Sequence, residues 1–269
     1  MMLYPCAKIN IGLYVTERRA DGYHNLQTVF YPIPLTDTLS IEEGEKDELL
    51  LSGIPVAGEL TDNLVCRVLN LVRQHHPVPP LRIRLEKNIP SGAGLGGGSS
   101  DAAAMMNLLN DTYNLHFTDK EMEDMVSTLG ADCAFFIKSR PTMAEGIGNI
   151  FSPVQLDLAG WKIVLVKPDD FVSTKEAYSM VKPAMPQHDL REAIQHPVEE
   201  WKDLIFNDFE NSVLPLHPNI ARIKQQLYDL GAAYACMSGS GSSVFGLFRQ
   251  IPEGIKEKFA PHFCHQSSL

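Results

Sequence analysis

The feature that most constrains this chain is a glycine-rich segment at 90–100, Pro-Ser-Gly-Ala-Gly-Leu-Gly-Gly-Gly-Ser-Ser. Five of its glycines fall within seven positions, an alternating strand pattern at 81–87 precedes it, and helix formers at 102–109 follow. Glycine tolerates a positive φ and lets backbone pass close to a ligand. Backbone N–H groups at a helix start, together with the helix dipole, bind anions. The segment therefore predicts a strand–loop–helix unit that binds phosphate, and its richness in glycine favours a polyphosphate.

This loop differs from two better-known nucleotide loops. A Walker A loop carries lysine directly before its last Ser or Thr, whereas Gly98 precedes Ser99 and no lysine lies between Lys87 and Lys120. The alternation at 81–87 indicates a half-exposed strand, unlike the buried parallel strand before a dinucleotide loop. The cation that neutralises a transferring phosphate must come from elsewhere in the chain or from a metal ion. The ordinary alternative for the segment is a flexible linker.

The composition limits the class of protein and its partners. The chain has 269 residues, enough for one large domain or two of ordinary size. Hydrophobic residues make up 44% and charged residues 21%, as in ordinary globular proteins. The formal net charge of −10 argues against a nucleic-acid backbone or an anionic membrane as the main partner. A small anionic substrate stays compatible, because local cations and metal ions decide its binding.

Cysteine usage and the absence of long apolar runs predict the compartment. The five cysteines lie far apart and form no Cys-x-x-Cys pair, which predicts free thiols in a reducing cytoplasm. No run approaches the ~18 apolar residues of a membrane span. The first cation, Lys8, follows the first apolar residues, unlike the order in a signal peptide. We therefore expect a cytoplasmic protein, with a tail at 262–265 that is frayed rather than metal-binding.

Hydrophobic periodicity predicts a mixture of strands and helices. Strands are predicted at 4–15, 26–33, 39–41, 49–51, 81–87, 162–166, 232–237 and 244–248, with a hairpin of strands within 36–56 and a further strand after Asp132. Helices are predicted at 63–74, 102–109, 118–129, 174–181 and 219–230, and a polar loop at 183–197. This hairpin-rich order indicates an α+β fold. A candidate boundary at 152–160 divides the chain into predicted domains 1–152 and 153–269.

Three motifs together resemble the GHMP kinases, the superfamily of galactokinase, homoserine kinase, mevalonate kinase and phosphomevalonate kinase. They are Pro-Cys-Ala-Lys-Ile-Asn-Ile at 5–11, the glycine-rich segment at 90–100, and Met-Ser-Gly-Ser-Gly-Ser-Ser at 237–243. They span nearly the whole chain. The resemblance implies a two-domain α+β fold, with an N-terminal ATP-binding domain similar to ribosomal-protein folds and a ferredoxin-like C-terminal domain. It also implies an active site between the two domains.

Further segments resemble one branch of this superfamily. They are Arg-Arg-Ala-Asp-Gly-Tyr-His-Asn-Leu-Gln-Thr at 18–28, Thr-Asp-Asn-Leu at 61–64, Gly-Ala-Asp at 130–132 and Ala-Glu-Gly-Ile-Gly at 144–148. This resemblance implies ATP-dependent phosphorylation, with Mg²⁺, of the 2-hydroxyl of a cytidine-diphosphate-linked methylerythritol in non-mevalonate isoprenoid synthesis. The chain departs from the branch at Ala134, where proline is usual, and at Asn149, where an acid is usual.

The resemblance makes Lys8 and Asp132 the candidate catalytic pair. Lys8 would stabilise charge on the acceptor hydroxyl, and Asp132 would accept its proton as general base. A lysine in an apolar strand is ordinarily an edge or solvent-facing residue. An aspartate after glycine is ordinarily a cap or turn residue. The pattern of motifs favours the functional interpretation of both residues.

The resemblance also assigns the nucleotide site. ATP binding is expected at Pro90, Ser91, Gly92, Ala93, Gly94, Leu95, Gly96, Gly97, Gly98, Ser99 and Ser100, with Asn63 and Lys87 near the adenine. Either Ser99 or Ser100 would place its hydroxyl on a phosphate or on Mg²⁺, and both are also suited to cap the following helix. Helix capping is likewise the alternative for Asn63. No residue of the chain is predicted as a dedicated metal ligand.

Substrate contacts are expected from residues in both predicted domains. They are Asn10, Tyr23, His24, Thr174, Gly239, Ser240 and Gly241. Tyr23 and His24 would stack on the cytosine, since bases stack on aromatic rings, while Tyr178 or Phe171 would either close that pocket or pack in the core. Turn residues are the ordinary alternative for the Tyr23–His24 pair, and a tight hairpin turn for Gly239–Gly241.

Two alternative functions stay open at this stage. Another GHMP kinase, of the mevalonate or homoserine type, would share the three motifs but has no use for a pair of rings at 23–24. A non-catalytic nucleotide-binding protein would keep the loop without needing both Lys8 and Asp132. The expected partners are ATP and one small-molecule substrate, with no nucleic acid and no membrane, in a monomer or weak homodimer.

Overall fold

The computed structural model describes residues 1–56 and 58–269. Its strands are β1 (Met2–Leu3), β2 (Cys6–Arg18), β3 (His24–Thr36), β4 (Thr38–Glu43), β5 (Glu48–Gly53), β6 (Leu81–Lys87), β7 (Thr142–Glu145), β8 (Ile150–Pro153), β9 (Lys162–Lys167), β10 (Tyr234–Met237), β11 (Val244–Phe248) and β12 (Phe263–Ser268). Its α-helices are α1 (Leu64–Arg73), α2 (Gly97–Tyr113), α3 (Asp119–Ser127), α4 (Cys133–Lys138), α5 (Thr174–Ser179), α6 (Leu190–Ala193), α7 (Trp201–Leu204), α8 (Glu210–Leu216), α9 (Pro218–Asp229) and α10 (Ile255–Phe259). Within the described ranges, no helix combines the length and apolar character that crossing a membrane requires.

The chain forms two compact units. Unit 1 comprises Met1–Ala7, Leu35–Ser91 and Gly96–Arg140. Unit 2 comprises Lys8–Pro34, Gly92–Leu95 and Pro141–Leu269. The units therefore interleave along the sequence, whereas the predicted domains 1–152 and 153–269 are continuous, and that division stays a prediction.

The sheet of unit 1 has the strand order β1-β4-β6-β5. β4 pairs with β6 in antiparallel orientation, and β5 pairs with β6 in parallel orientation. The expected hairpin of β4 with β5 is therefore wrong, because β6 lies between the two strands. Strand β6 buries Leu81, Ile83 and Leu85 and exposes the residues between them, which confirms the half-exposed strand predicted from its alternation.

The helices of unit 1 begin where their capping residues allow. The Asn63 side chain accepts the Val65 N–H at 3.1 Å and starts α1. Thr118 and Glu121 form a reciprocal capping box at the start of α3. Helix α2 begins at Gly97, five residues earlier than predicted, because Gly96 turns the chain with a φ of 71°. The apolar residues after Asp132 form helix α4, so the strand expected there is wrong.

Unit 2 contains two sheets, with strand orders β2-β3-β7-β8 and β10-β11-β9-β12. Strands β10 and β11 pair in antiparallel register from Tyr234–Leu247 to Met237–Val244. This confirms the two strands predicted on either side of the motif at 237–243. β9 is buried between β11 and β12, and its apolar run Ile163–Val166 has no exposed face. Helix α9 packs its buried residues Ile220, Ile223 and Leu227 in the same core.

Two local predictions in unit 2 are wrong, and one prediction for the whole chain is confirmed. The tail is not frayed, because β12 pairs with β9 over six residues. The segment predicted as a polar loop at 183–197 contains the short helix α6, which Asp189 caps through the N–H groups of Arg191 and Glu192. All five cysteines are free thiols, as expected from their spacing.

Candidate active site

The side chain of Lys8 is buried on strand β2 of unit 2. Its ammonium donates to Asn10 Oδ1 at 2.7 Å and to the Gly94 carbonyl at 3.1 Å. It also lies 4.9 Å from the centre of the Phe30 ring, a cation–π distance. Both the lysine and the asparagine are about 96% or more buried, since only 4% and 2% of their surfaces are exposed. A positive charge is thus held against the glycine loop, although the loop itself contains no lysine.

A chain of hydrogen bonds fixes the orientation of the Asn10 amide. Asn10 Nδ2 donates to Thr28 Oγ1 at 3.0 Å, and the Thr28 hydroxyl donates to the Gly12 carbonyl at 2.5 Å. Because the nitrogen of the amide faces Thr28, its oxygen faces Lys8. Lys8 and Asn10 of the first motif therefore form one hydrogen-bonded unit on strand β2, which Thr28 connects to β3.

The third motif is both a turn and a contact of the glycine loop. Ser238–Ser243 joins β10 to β11, with a φ of 57° at Gly239 and 87° at Gly241. Ser238 Oγ donates to the Gly94 carbonyl at 2.9 Å and accepts the Asn10 N–H at 3.2 Å. A Cβ on Gly94 would overlap with Ser238 O, so only glycine allows this approach. The hairpin turn considered for this motif is therefore confirmed, and the contact of Gly239–Gly241 with a substrate stays a prediction.

The remainder of the glycine loop in unit 1 forms the start of helix α2. The Ser100 N–H donates to the Gly96 carbonyl at 2.9 Å, which closes the first turn. A Cβ on Gly97 would lie 2.8 Å from Ile89 Cγ2, so glycine allows the loop to pack against the end of the preceding strand. The first N–H groups of a 17-residue helix have no partner within it, and such groups are suited to bind an anion.

The two predicted serines differ in their surroundings. Ser100 is buried, with 2% of its surface exposed, whereas Ser99 is half-buried. The Ser99 hydroxyl is hydrogen-bonded to the thiol of Cys133, whose pKa is raised by burial. Ser99 thereby connects the first turn of α2 to the first residue of α4.

A cavity of about 220 Å³ in unit 1 lies at the start of α1. Asn63, Lys87 and Ser91, three of the residues predicted for the nucleotide, line it. Apolar side chains such as Leu51, Val56, Leu60 and Leu64 line it as well. A concave site with apolar walls and a few polar groups suits a flat heterocycle. Asn63 both caps α1 and faces this cavity, so its two predicted roles are compatible.

Lys87 lies in a buried triad with two carboxylates. Its ammonium donates to Asp37 Oδ2 and, at 2.5 Å, to Asp101 Oδ2. Asp37 Oδ1 also accepts the N–H groups of Asn88 and Ile89, at 2.5 and 2.8 Å. Asp101 Oδ1 is buried and has no hydrogen-bond partner among the described residues. Burial therefore raises the pKa of the Asp101 carboxyl to about 8; the Lys87 charge opposes the rise and the Asp37 charge adds to it.

Asp132, the other predicted catalytic residue, belongs to unit 1. It is the residue directly before α4, half-buried, with φ −80° and ψ −13°. Its side chain makes no capping hydrogen bond to that helix, so it does not have the ordinary capping role considered for it.

The predicted base-binding rings lie in unit 2. His24 stacks on Tyr178, with ring centres 4.9 Å apart and planes inclined by 22°. Tyr178 in turn contacts the edge of Phe209, with centres 4.7 Å apart. Tyr23 is 63% exposed, and Thr174 is exposed at the start of α5. One face of an aromatic pair is thus packed on the core, while Tyr23 is available to a ligand.

Sequence reasoning missed three residues of this region. Asn207 and Glu210 are buried polar residues whose side chains hydrogen-bond the backbone at 237–239, and Ser238 contacts both Asn10 and Gly94. Ser238 belongs to the third motif, in which the resemblance implies substrate contacts only for Gly239, Ser240 and Gly241. The signal for the other two was a short polar pattern. The polar pair at 207–208 lies between Phe206 and Phe209, and Glu210 follows directly. A short run of this kind gives no sequence indication of its distant partner.

Comparisons with known families define the class of this fold. The model of the N-terminal domain of GHMP kinases matches residues 63–140, and the model of their C-terminal domain matches residues 189–265. The two matches lie on opposite sides of residue 152 and together cover more than half of the chain. The chain belongs to the GHMP kinases, with the two-domain fold of that family.

Within this class, several relatives of high sequence identity are the same enzyme. A 4-diphosphocytidyl-2-C-methyl-D-erythritol kinase from Bacteroides fragilis is 56% identical over all of both chains. The enzyme of the same name from Bacteroides thetaiotaomicron is 53% identical over 94% of this chain and 93% of its own. A crystal structure of 4-(cytidine 5'-diphospho)-2C-methyl-D-erythritol kinase, 30% identical, matches all of both chains with a TM-score of 0.83. The mevalonate kinase of Methanococcus jannaschii shares the fold at 15% identity and a TM-score of 0.66.

Proposed function

We propose that this protein transfers the γ-phosphoryl group of ATP to the 2-hydroxyl of 4-(cytidine 5'-diphospho)-2-C-methyl-D-erythritol. The observation that carries the proposal is the buried Lys8 ammonium held on Asn10 and on the carbonyl of Gly94 in the glycine loop. Phosphoryl transfer needs positioned positive charge more than covalent chemistry. A lysine supplied by another strand answers the absence of lysine from the loop. Full-length similarity to kinases of this substrate supports the choice of alcohol.

Lys8 acts on the developing charge of the acceptor oxygen. Its ammonium is almost completely buried, and an electrostatic interaction is stronger in such a site than in water. Two hydrogen bonds keep the ammonium in one place. A charge that is already oriented requires no reorganisation when the reaction occurs. These properties support a role in stabilising the transition state.

Asp132 acts as the general base that accepts the proton of the attacking hydroxyl. It is half-buried and does not cap the helix that follows it, so its carboxylate is not used for that purpose. A carboxylate is a group that can accept the proton of an attacking hydroxyl. The assignment comes from the Gly-Ala-Asp motif at 130–132.

ATP binds through the glycine loop and the cavity beside α1. The N–H groups at the start of α2 suit the phosphates, and residues 90–100 supply the backbone around them. The cavity lined by Asn63, Lys87 and Ser91 suits the adenine. Because Lys87 is bonded to two carboxylates, it contributes to the shape of this site rather than to the charge on the phosphates.

Mg²⁺ accompanies the nucleotide. Among residues 1–56 and 58–269, no group of three or more His, Cys, Asp or Glu side chains is arranged to hold a metal ion by itself. Mg²⁺ is commonly bound by substrate phosphates, water and one or two protein groups, so such a cluster is not required. The hydroxyl of Ser99 or Ser100 at the start of α2 fits one position. The ion would neutralise charge on the transferring phosphoryl group.

The cytosine binds at the rings of unit 2. Tyr23 is exposed and adjacent to His24, which already stacks on Tyr178. A base adds to such a stack because each base has a π-face. Asn10, Thr174 and the turn Gly239–Gly241 contact the diphosphate or the methylerythritol. Mevalonate and homoserine contain no ring that would use these side chains.

A panel of alcohols tests the function. ADP release from ATP is measured with the cytidyl substrate, with mevalonate and with homoserine at equal concentrations. We expect turnover with the first and background rates with the other two. Turnover with mevalonate or homoserine alone would assign the chain to another type of GHMP kinase. If ATP binds but no alcohol is phosphorylated, the chain is a non-catalytic nucleotide-binding protein. We further propose a cytoplasmic monomer or weak homodimer that binds neither nucleic acid nor membrane.

A further inference from the structure

The segment Phe206–Glu210 of unit 2 is attached to the strand that carries Lys8. The Leu13 N–H donates to the Phe206 carbonyl at 2.9 Å, and the Asp208 N–H donates to the Leu13 carbonyl at 2.8 Å. These bonds form a parallel bridge between Leu13 and Asn207. Asp208 Oδ2 accepts the Val15 N–H at 2.7 Å. Three hydrogen bonds therefore hold the segment against β2.

The Asn207 side chain reaches from this segment to the third motif. Its Nδ2 donates to the Met237 carbonyl at 2.8 Å and to the Gly239 carbonyl at 2.9 Å. Its Oδ1 accepts the Phe209 N–H at 3.0 Å. Only 2% of its surface is exposed. Both amide hydrogens and the amide oxygen are thus used, which fixes the side chain in one orientation.

Glu210 holds the same motif from the next turn of the segment. Its Oε1 accepts the Met237 N–H at 2.8 Å, and its Oε2 accepts the ammonium of Lys224 at 2.5 Å. The residue is 8% exposed. Two side chains that are three positions apart therefore hold three backbone groups of Met237 and Gly239.

We propose that Asn207 and Glu210 are positioning residues for the Lys8 ammonium. They fix the backbone of the third motif, and Ser238 in that motif binds the Asn10 N–H and the Gly94 carbonyl. Asn10 and Gly94 also accept hydrogen bonds from Lys8. The inference rests on the catalytic role proposed for Lys8, and it assigns a function to two residues outside the three motifs.

The cost of burying these groups argues against a purely local role. A hairpin turn between antiparallel strands is ordinarily satisfied by its own backbone. Here an amide and a carboxylate are buried instead, and a buried polar group costs free energy unless its hydrogen bonds are made. Every polar atom of these two side chains has a partner. Such an arrangement fixes a backbone position, and a displacement of about 1 Å in a catalytic site costs roughly 100-fold in rate.

Asn207→Asp is the decisive variant. It keeps the shape of the side chain and the acceptor for the Phe209 N–H, but it places an oxygen against the Met237 and Gly239 carbonyls. We expect kcat to fall by roughly 10- to 100-fold. The KM for ATP should change less than kcat, because the residues lining the proposed adenine cavity belong to unit 1 and only Gly94 of the proposed phosphate loop is bonded to Ser238. Asn211→Asp adds the same charge at an exposed position four residues on and should leave kcat unchanged.

Glu210→Gln is the second variant and carries the test if Asn207→Asp fails to fold. It keeps an acceptor for the Met237 N–H but removes the charge opposite Lys224. We expect a smaller fall in kcat than for Asn207→Asp, again with a change in the KM for ATP that is smaller than the change in kcat. Amide hydrogen exchange at 237–243 should be faster in both variants and unchanged in Asn211→Asp.

A double-mutant cycle with Ser238→Ala separates positioning from general destabilisation. If Asn207 acts through Ser238, Asn207→Asp combined with Ser238→Ala should cost no more in kcat than the larger single change. Multiplicative losses, or a folded Asn207→Asp protein with wild-type kcat and unchanged exchange, would overturn the proposal. Rates are compared on whichever alcohol the wild type phosphorylates. A result that contradicts the cytidyl substrate can therefore be distinguished from one that contradicts the positioning role. The hydrogen-exchange measurement requires no turnover.

Discussion

Asn10 and Ser238 lie 228 positions apart in the sequence, yet Ser238 Oγ accepts the Asn10 N–H at 3.2 Å. The same hydroxyl donates to the carbonyl of Gly94, which also accepts from Lys8. Residues from the first, second and third motifs therefore share one set of hydrogen bonds within unit 2. This arrangement gives a physical reason for three short motifs to occur together in one chain.

Replacing Lys8 with methionine tests the proposed charge at the acceptor. Lys8→Met keeps a long apolar stem and removes the ammonium held by Asn10 and Gly94. We expect kcat to fall by roughly 100- to 1,000-fold, the cost of removing one oriented electrostatic group, with ATP affinity changed by less than about threefold. Steady-state kinetics with a thermal melt checks this. Lys202→Met, an exposed lysine of the same unit, should leave kcat unchanged, and a comparable loss there would remove the special role of Lys8.

Asp132→Asn tests the general base. The amide keeps the size of the side chain and cannot accept a proton, so kcat should fall by roughly 100- to 10,000-fold. ATP binding, measured by calorimetry, should persist, because the proposed nucleotide site does not depend on this proton. Asp111→Asn is the matched control at an exposed position of the same unit. A near-normal rate for Asp132→Asn would assign the base to another residue.

Gly94→Ala separates steric cost from backbone strain. Gly94 has a φ of 75°, and an added Cβ would overlap with Ser238 O. Gly160 has a similar φ of 84° but open space around an added Cβ. Gly160→Ala should therefore cost only about 1–2 kcal/mol for the left-handed backbone, whereas Gly94→Ala should lower the melting temperature further and abolish turnover. Equal melting temperatures for the two variants would contradict the close approach of the two loops.

The buried triad predicts a pH dependence of stability. The pKa of Asp101 is about 8 in the folded chain and 3.8 as its reference value, so the folded state holds an extra proton between these values. Its contribution to stability is therefore fully present below about pH 4 and is lost as pH rises towards 8. Asp101→Asn removes this loss. The melting temperature of the variant relative to that of the wild type should therefore increase from pH 5 to pH 8.

Asp37→Asn provides the contrast for this measurement. Asp37 accepts hydrogen bonds from two backbone N–H groups and from the Lys87 ammonium. Its replacement should lower the melting temperature across the whole pH range, since it removes a partner of a buried charge. A stabilising effect of Asp37→Asn with a destabilising effect of Asp101→Asn would reverse the assignment of the proton between the two carboxyls.

The glycine-rich features were predictable from the sequence because their physical cause is local. Glycine spacing alone predicted a loop before α2 and a turn between β10 and β11. The first residue of α2 was harder to predict from the sequence, because the low helix propensity of glycine places Gly97 and Gly98 outside a helix. Their position in its first turn depends on close packing, such as that of Gly97 on Ile89.

Nonlocal partners account for what the sequence did not predict. Alternation identified β4 and β5 as strands, but not that β6 pairs between them. Asn207 and Glu210 are ordinary polar residues until the fold places them against Met237 and Gly239. Helix α4 was misassigned because a short apolar run after Asp132 has the same pattern in a buried strand and in a buried helix.

The stacked rings predict which substrate loses affinity when Tyr178 is changed. Tyr178→Leu keeps an apolar side chain against Phe209 but removes the ring that stacks on His24. Tyr178 supports His24, and stacking on a base contributes about 1–3 kcal/mol, so the KM for the cytidyl substrate should rise by at most roughly 150-fold while the KM for ATP stays unchanged. Tyr4→Leu, an exposed tyrosine in unit 1, is the control. If Tyr178→Leu raised the KM for ATP instead, the aromatic pair would belong to the nucleotide site and the cytosine would bind elsewhere.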